Sequence, residues 1–180
     1  LPPPTEGWIE SILAPQEVAT PTQNDSFSQS ARERGQEKKM HQRRLGRKAL
    51  FLLLSQTFPN RSFDVSNNFL GKPFLVGNPE ISISISHCDT IGWAALSEHG
   101  TIGIDIEKIE PKPQSFVKHC FHKAEQQQAQ SLASTTAIWC CKEALVKALG
   151  IGLRVGTKET KVVLHTPFRA TIHLYGNTQR

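Results

Sequence analysis

Seven consecutive residues, Ile81-Ser82-Ile83-Ser84-Ile85-Ser86-His87, alternate apolar and polar without a break. Successive side chains of a strand point to opposite faces, so this run predicts a β-strand with an isoleucine face on a core and a serine face turned away from it. A second strand is expected over Ile91 to Leu96 and a third over Thr101 to Glu107, with turns at Asp89-Thr90 and Glu98-His99-Gly100 between them. The middle of the chain is therefore expected to form an antiparallel meander.

The flanking segments change period. From Ala31 to Thr57 the pattern is helical, with Leu45, Ala49, Leu52 and Leu53 recurring at three- and four-residue spacing opposite the charges, and Pro59-Asn60 ending the run. Helices are expected over Gln114 to His119, Lys123 to Ser131 and Ile138 to Leu149, the last closed by Gly150. Strands over Thr160 to Leu164 and Ala170 to Tyr175 follow. Helix, strand, strand thus occurs twice, over 40–57, 81–87 and 91–96, and over 138–149, 160–164 and 170–175. The expectation is an α+β fold of two similar lobes, 1–100 and 101–180. Residues 1–30 are rich in Pro, Ser, Thr and Gln; 19–30 suggests a loop, with a short strand or helix at Ser11 to Leu13.

A length of 180 residues suits one domain or one domain of two halves. The longest apolar run, Ala49 to Leu54, is far short of a membrane span. No secretory leader pattern opens the chain. Four cysteines, Cys88, Cys120, Cys140 and Cys141, do not make a disulfide framework, and a reduced, cytoplasmic setting is expected. The net charge of +5 is local: residues 31–48 carry eight basic and two acidic side chains, while the remainder is close to neutral. That segment is suited to an anionic partner.

The chemistry gathers around two carboxylates. In Gly103-Ile104-Asp105-Ile106-Glu107, Asp105 and Glu107 are two apart and project together if the segment is extended, and two like charges side by side repel unless a cation or a positive group sits between them. A third carboxylate, Glu143, sits on the 138–149 helix beside Lys142 and four residues before Lys147. Three oxygen donors with neighbouring lysines suit Mg²⁺ holding a phosphorylated substrate. Each part has a plain alternative: a solvated strand face for Asp105 and Glu107, and a helix-stabilising pair for Glu143 and Lys147.

The combination is more specific. Trp139-Cys140-Cys141-Lys142-Glu143-Ala144-Leu145-Val146-Lys147 resembles the W-x-x-K-E-A-x-x-K signature of the 4′-phosphopantetheinyl transferases, and Gly103 to Glu107 resembles their G-[IV]-D-[IV]-E. Gly71-Lys72-Pro73, Ser84-Ile85-Ser86-His87-Cys88 and Phe121-His122-Lys123-Ala124-Glu125 resemble three further elements, G-K-P, [NS]-x-S-H-[ST] and F-x-x-x-E. The upstream elements are those of the two-lobed, surfactin-activator type, whose members act as monomers. Cys88 departs from the usual Ser or Thr, and longer relatives continue into another strand beyond the position of Tyr175.

The resemblance implies a holo-[carrier protein] synthase. It would transfer the 4′-phosphopantetheine arm of coenzyme A to a serine hydroxyl of an acyl or peptidyl carrier protein, with release of adenosine 3′,5′-bisphosphate. Mg²⁺ would be held by Asp105, Glu107 and Glu143. Glu143, or a water beside it, would be the base, and Lys147 would neutralise charge on the phosphate, with Asp105 completing the catalytic set. Coenzyme A would be bound by Arg43, Lys72, Ser86, His87 and Lys147. Lys142 either shares that task or lies on the surface, and Arg44 fits the 3′-phosphate nearly as well as Arg43. A nucleic-acid-binding module using the 31–48 helix is the rival from another class, but it leaves the acidic cluster unexplained. A catalytically dead homologue is a second rival, and the intact Asp105, Glu107, Glu143 and Lys147 argue against it. Neither a nucleic acid nor a membrane is an expected partner. His119, Cys120 and His122 lack a second ligand pair of structural-zinc type. Cys140 and Cys141 are assigned to packing.

Overall fold

The computed structural model describes residues 31–151, 157–165 and 169–174. The expectations for residues 1–30 lie outside the described residues. The fold is α+β. In chain order it comprises α1 (Ala31–Thr57), β1 (Val65–Asn67), β2 (Pro73–Leu75), β3 (Ser82–Cys88), β4 (Ile91–Ser97), α2 (Gln114–Cys120), α3 (Lys123–Gln128), α4 (Leu132–Leu149), β5 (Thr160–His165) and β6 (Arg169–Leu174). The strands pair antiparallel as three two-stranded sheets, β1–β2, β3–β4 and β5–β6.

The alternation in 81–87 does what its period requires. In the β3–β4 register Ser86 faces Trp93 and Ser84 faces Ala95 on one side, while Ile83 faces Leu96 and Ile85 faces Ala94 on the other. The isoleucine side carries the first core: Leu50 and Leu54 of α1, Leu75 of β2, and Ile81 and Ile83, all buried, with Phe58, Phe63, Val65 and Leu96 around them. The helical stripe is rotated from the expected Leu45, Ala49, Leu52 and Leu53. Leu52 is exposed, and the buried line is Gly46, Leu50 and Leu54 at four-residue spacing. Close approach decides this. A Cβ on Gly46 would meet Ile85, and one on Gly92 of β4 would meet the Leu45 backbone, so these two glycines let α1 lie directly on the hairpin.

The second core lies between α2, α4 and β5 and contains Cys120, Phe121, Ile138 and Val162, with Phe116, Trp139, Cys141 and Leu164 packed on it. Trp139 meets Phe116 edge-on, centroids 4.8 Å apart. Cys141 packs as expected. α4 starts six residues earlier than its apolar pattern suggested. Ser131 and Ser134 cap its N-terminus reciprocally, each side chain bonding the other's backbone N–H at 3.0–3.1 Å. At the other end Gly150 adopts φ 67°, the left-handed conformation that closes a helix.

The expected third strand is the main correction. Residues 101–107 pair with no backbone ladder. The N–H groups of Ile102, Ile104 and Ile106 instead donate to the hydroxyls of Ser82, Ser84 and Ser86 at 3.1, 3.1 and 3.2 Å. The segment runs parallel to β3 over its serine face rather than along its edge. The serine side chains take the place of carbonyl acceptors, so the meander stops at two strands. Ile104 and Ile106 are only partly buried and belong to neither core. On its other side the segment lies against α4: a Cβ on Gly103 would overlap the Ala144 carbonyl.

Candidate active site

The 101–107 segment, held between the β3 serines and α4, brings Asp105 to the centre of the site. Its side chain is 7% exposed. Oδ1 accepts from Lys147 Nζ at 2.6 Å and from Ser86 Oγ at 2.9 Å. Ser86 Oγ in turn accepts from Lys147 Nζ at 3.0 Å and from the Ile106 N–H at 3.2 Å. That hydroxyl therefore donates once and accepts twice, which uses its full capacity. Asp105 Oδ2 is buried with no hydrogen-bond partner. A buried, unpartnered carboxylate oxygen is costly and suits a cation.

α4 supplies the opposite wall. Cys140, Glu143 and Lys147 are three and four residues apart and share one face. Glu143 feels Asp105 and Glu107: its carboxyl is raised above the ordinary range by burial first, then by the Asp105 charge, with Lys147 opposing and Glu107 adding. Cys140, assigned to packing from the sequence, faces the same cluster. Its thiol is pushed up to about 12 by burial, then by the charge and contact of Asp105, then by Glu107. Its position one helical turn before Glu143 is the signal that places it there. Glu107 lies farther out and pairs with Lys112 at 3.5 Å.

Between the upstream lobe and α4 lies a cavity of about 200 Å³, lined by Gly71, Lys72, Ser84, Glu143, Lys147 and Gly150 among others. Lys72 is in this wall as expected, but its ammonium donates to the Ala148 carbonyl at 2.6 Å and so caps the C-terminus of α4. His87 is on the α1 side of β3, opposite Ser86, with Nδ1 buried and unpartnered. Arg43 and Arg44 are exposed on α1; the Arg44 guanidinium approaches Met40 Sδ at 3.5 Å. Neither arginine is among the residues that line this cavity.

Lys142 is a correction. Adjacent helix positions are about 100° apart, so Lys142 turns away from the face of Glu143 and into the second core. It is 2% exposed, and its ammonium binds Glu125 at 2.9 Å, the Thr160 carbonyl at 2.6 Å and the Thr157 carbonyl at 2.7 Å. Burial pulls its pKa down, and Glu125 partly restores it. It has no donor left for a phosphate. Glu125, fully buried, also accepts from the N–H groups of His122 and Val162, both at 2.7 Å. The F-x-x-x-E and K-E elements therefore meet in a structural lock that joins α3, α4 and β5.

The donor set fits a hard cation: Asp105 offers a buried free oxygen, and Glu143 and Glu107 lie within its field. Among the described residues no three His, Cys, Asp or Glu side chains converge as a ready metal cage. Lys147 and Lys112 hold two of the three carboxylates instead.

The carboxyl shift of Glu143 has a measurable consequence. A raised folded-state pKa means that ionising Glu143 opposes folding, so its favourable contribution is present below the ordinary carboxylate range and is lost as pH rises through the raised value. Glu143→Gln is expected to raise the thermal midpoint of the metal-free protein at pH 8. Because the side chain is partly solvated, the gain is about 1–2 °C. The gain should vanish near pH 4. A midpoint that falls at pH 8 would show that the Lys147 attraction outweighs burial.

The family model of the 4′-phosphopantetheinyl transferase superfamily matches residues 101–180. The chain is 32% identical over 111 residues to "4′-phosphopantetheinyl transferase gsp" of Aneurinibacillus migulanus, covering 58% of this chain and 46% of that protein. It is 33% identical over 99 residues to "Putative 4′-phosphopantetheinyl transferase slr0495" of Synechocystis sp., covering 49% and 40%. The match spans less than half the length of either relative. The matched residues 101–180 hold Asp105, Glu107, Glu143 and Lys147, so the likeness to the 4′-phosphopantetheinyl transferase superfamily covers that stretch of the chain.

Proposed function

We propose that this protein transfers the 4′-phosphopantetheine arm of coenzyme A to a serine hydroxyl of an acyl or peptidyl carrier protein. The observation that carries the reading is Asp105: a buried carboxylate with one oxygen held by Lys147 and the other free, facing a helix that bears Glu143. The relatives from Aneurinibacillus migulanus and Synechocystis are named 4′-phosphopantetheinyl transferase, the second as putative.

The acceptor serine oxygen forms a bond to the pantetheine-bearing phosphorus as the bond from that phosphorus to the bridging pyrophosphate oxygen breaks. Adenosine 3′,5′-bisphosphate leaves with the electron pair. Glu143, with its proton affinity raised by burial, takes the serine proton directly or through a water. Lys147 lies on the cleft wall and can shift from Asp105 to the phosphate as negative charge builds there. Mg²⁺, when held by Asp105 and Glu143 with Glu107 beside them, supplies charge neutralisation at the pyrophosphate. Lys72 and His87 would take the coenzyme A side, with Arg43 or Arg44 at its 3′-phosphate, whereas the Ser86 hydroxyl is already fully engaged. Ser86 acts by fixing Asp105 and Lys147 in register. The proposed division is an upstream lobe, 1–100, and a downstream lobe, 101–180, in a cytoplasmic monomer. Among the described residues no helix is long and apolar enough to cross a membrane.

The test is direct. The protein is incubated with coenzyme A, Mg²⁺ and several apo carrier proteins, and the carriers are weighed by intact mass spectrometry. The expected result is a gain of one phosphopantetheine, dependent on both coenzyme A and Mg²⁺. No gain on any fatty-acid, polyketide or peptide-synthetase carrier would sink the reading.

A further inference from the structure

We propose that Lys112 is a resident counter-cation on Glu107 that sets how tightly the carboxylate cluster takes up a divalent cation. The inference rests on the transferase reading for the identity of that cluster. Lys112 lies in the segment between Glu107 and α2, outside all of the family motifs. Its side chain is only 16% exposed. A lysine whose side chain is this far covered is favoured when its ammonium has a partner. Among the described residues Glu107 Oε2, at 3.5 Å, is the partner it has.

Asp105 is in the same state, with Lys147 at 2.6 Å. Both carboxylates of the 101–107 segment thus carry a lysine as counter-charge. The two lysines differ in where a displaced ammonium can go. Lys147 has a phosphate to move to in the proposed reaction, because it lines the cleft with Glu143. Lys112 is not among the residues that line that cleft. It lines a separate cavity of about 190 Å³ together with Gln114, Gln126 and Thr135. Amide and hydroxyl oxygens there are acceptors for an ammonium, so Lys112 has a place to move when a cation takes Glu107. The exchange is uphill, because a fair ion pair in a partly buried place is traded for neutral acceptors. Cation uptake therefore works against Lys112, and removal of its charge should tighten binding.

Mn²⁺ is a suitable probe, since free Mn²⁺ is counted by its electron paramagnetic resonance signal without any turnover. The full chain, free of coenzyme A, is titrated with Mn²⁺ as wild type, Lys112→Met, Lys112→Gln and Lys112→Arg. Lys112→Met and Lys112→Gln are expected to bind about five- to tenfold more tightly, from the worth of a partly screened ion pair. Lys112→Arg, which keeps the charge, should match wild type. Adding Asp105→Asn to Lys112→Met should abolish the tight binding. Thermal melts identify a neutral variant that fails to fold, and the other neutral variant then carries the test. Unchanged or weaker Mn²⁺ binding in a folded neutral variant overturns the proposal, as does tightening that survives Asp105→Asn. A chain that transfers phosphopantetheine but shows no tightening overturns this inference alone. A chain that shows the tightening but transfers nothing supports it and overturns only the transferase reading.

Discussion

Glu125→Ala is expected to destabilise the protein by about 3–5 kcal/mol, the usual effect of stripping one partner from a buried ion pair. The carboxylate is fully buried and makes three contacts that nothing else can replace: Lys142 Nζ at 2.9 Å and the N–H groups of His122 and Val162 at 2.7 Å. Its removal leaves a buried ammonium without a counter-charge and two backbone donors unpaired. Whole domains are stable by only about 5–15 kcal/mol, so the loss is a large share. The thermal midpoint should drop by roughly 6–20 °C for a chain of this size, measured by circular dichroism. Lys142→Met tests the other side, and it should be the milder change, since Glu125 keeps its two N–H donors. The double variant Glu125→Leu with Lys142→Met should recover part of the loss, because two apolar side chains do not carry the desolvation cost of the pair. A Lys142→Met protein that melts like wild type but loses affinity for coenzyme A would show that Lys142 serves the ligand after all.

The second large effect is on rate. Asp105→Asn is expected to slow the proposed phosphopantetheine transfer by at least about 10²–10³-fold, the scale seen when one preorganised charge-stabilising group is removed. The amide keeps the shape of the side chain and leaves Ser86 and the backbone contacts of 101–107 in place. It loses the charge that holds Lys147 at 2.6 Å and the buried oxygen available to a cation. The single-turnover rate, read as carrier mass gained over time at saturating Mg²⁺, is the measurement, with the circular dichroism spectrum as the check on folding. Transfer at the wild-type rate would remove Asp105 from the mechanism.

Much of the secondary structure was legible because period-2 and period-3.6 patterns are local. β3, β4, α1 and α2 lie where their patterns put them, and Gly150 closes α4 as its position suggests. The misplaced features share a cause. The segment 101–107 has the alternation of a strand, but alternation does not say which acceptors its N–H groups meet. Only the fold shows that they meet serine hydroxyls above β3. The α1 leucines offer two stripes, and the choice depends on Gly46 and Gly92 letting the helix close on the hairpin. Lys142 and Glu143 are neighbours in a motif, yet about 100° of helix rotation sends one to the core and the other to the cleft. Cys140 is assigned to packing because the resembled motif is variable at its position, and only the position of Asp105 shows what it faces.

By itself the sequence determined the types of the elements, the carboxylate pair two residues apart, and the motifs that resemble those of the transferases, because each is a matter of residue type and near spacing. The tertiary structure alone decided which charges are partnered. It gave Lys142 to Glu125, Lys147 to Asp105 and Lys112 to Glu107. The first two pairs join residues far apart in the chain, and even the near pair is decided by which face each residue presents. Ion pairing depends on distance and burial, and both are set only when the elements pack.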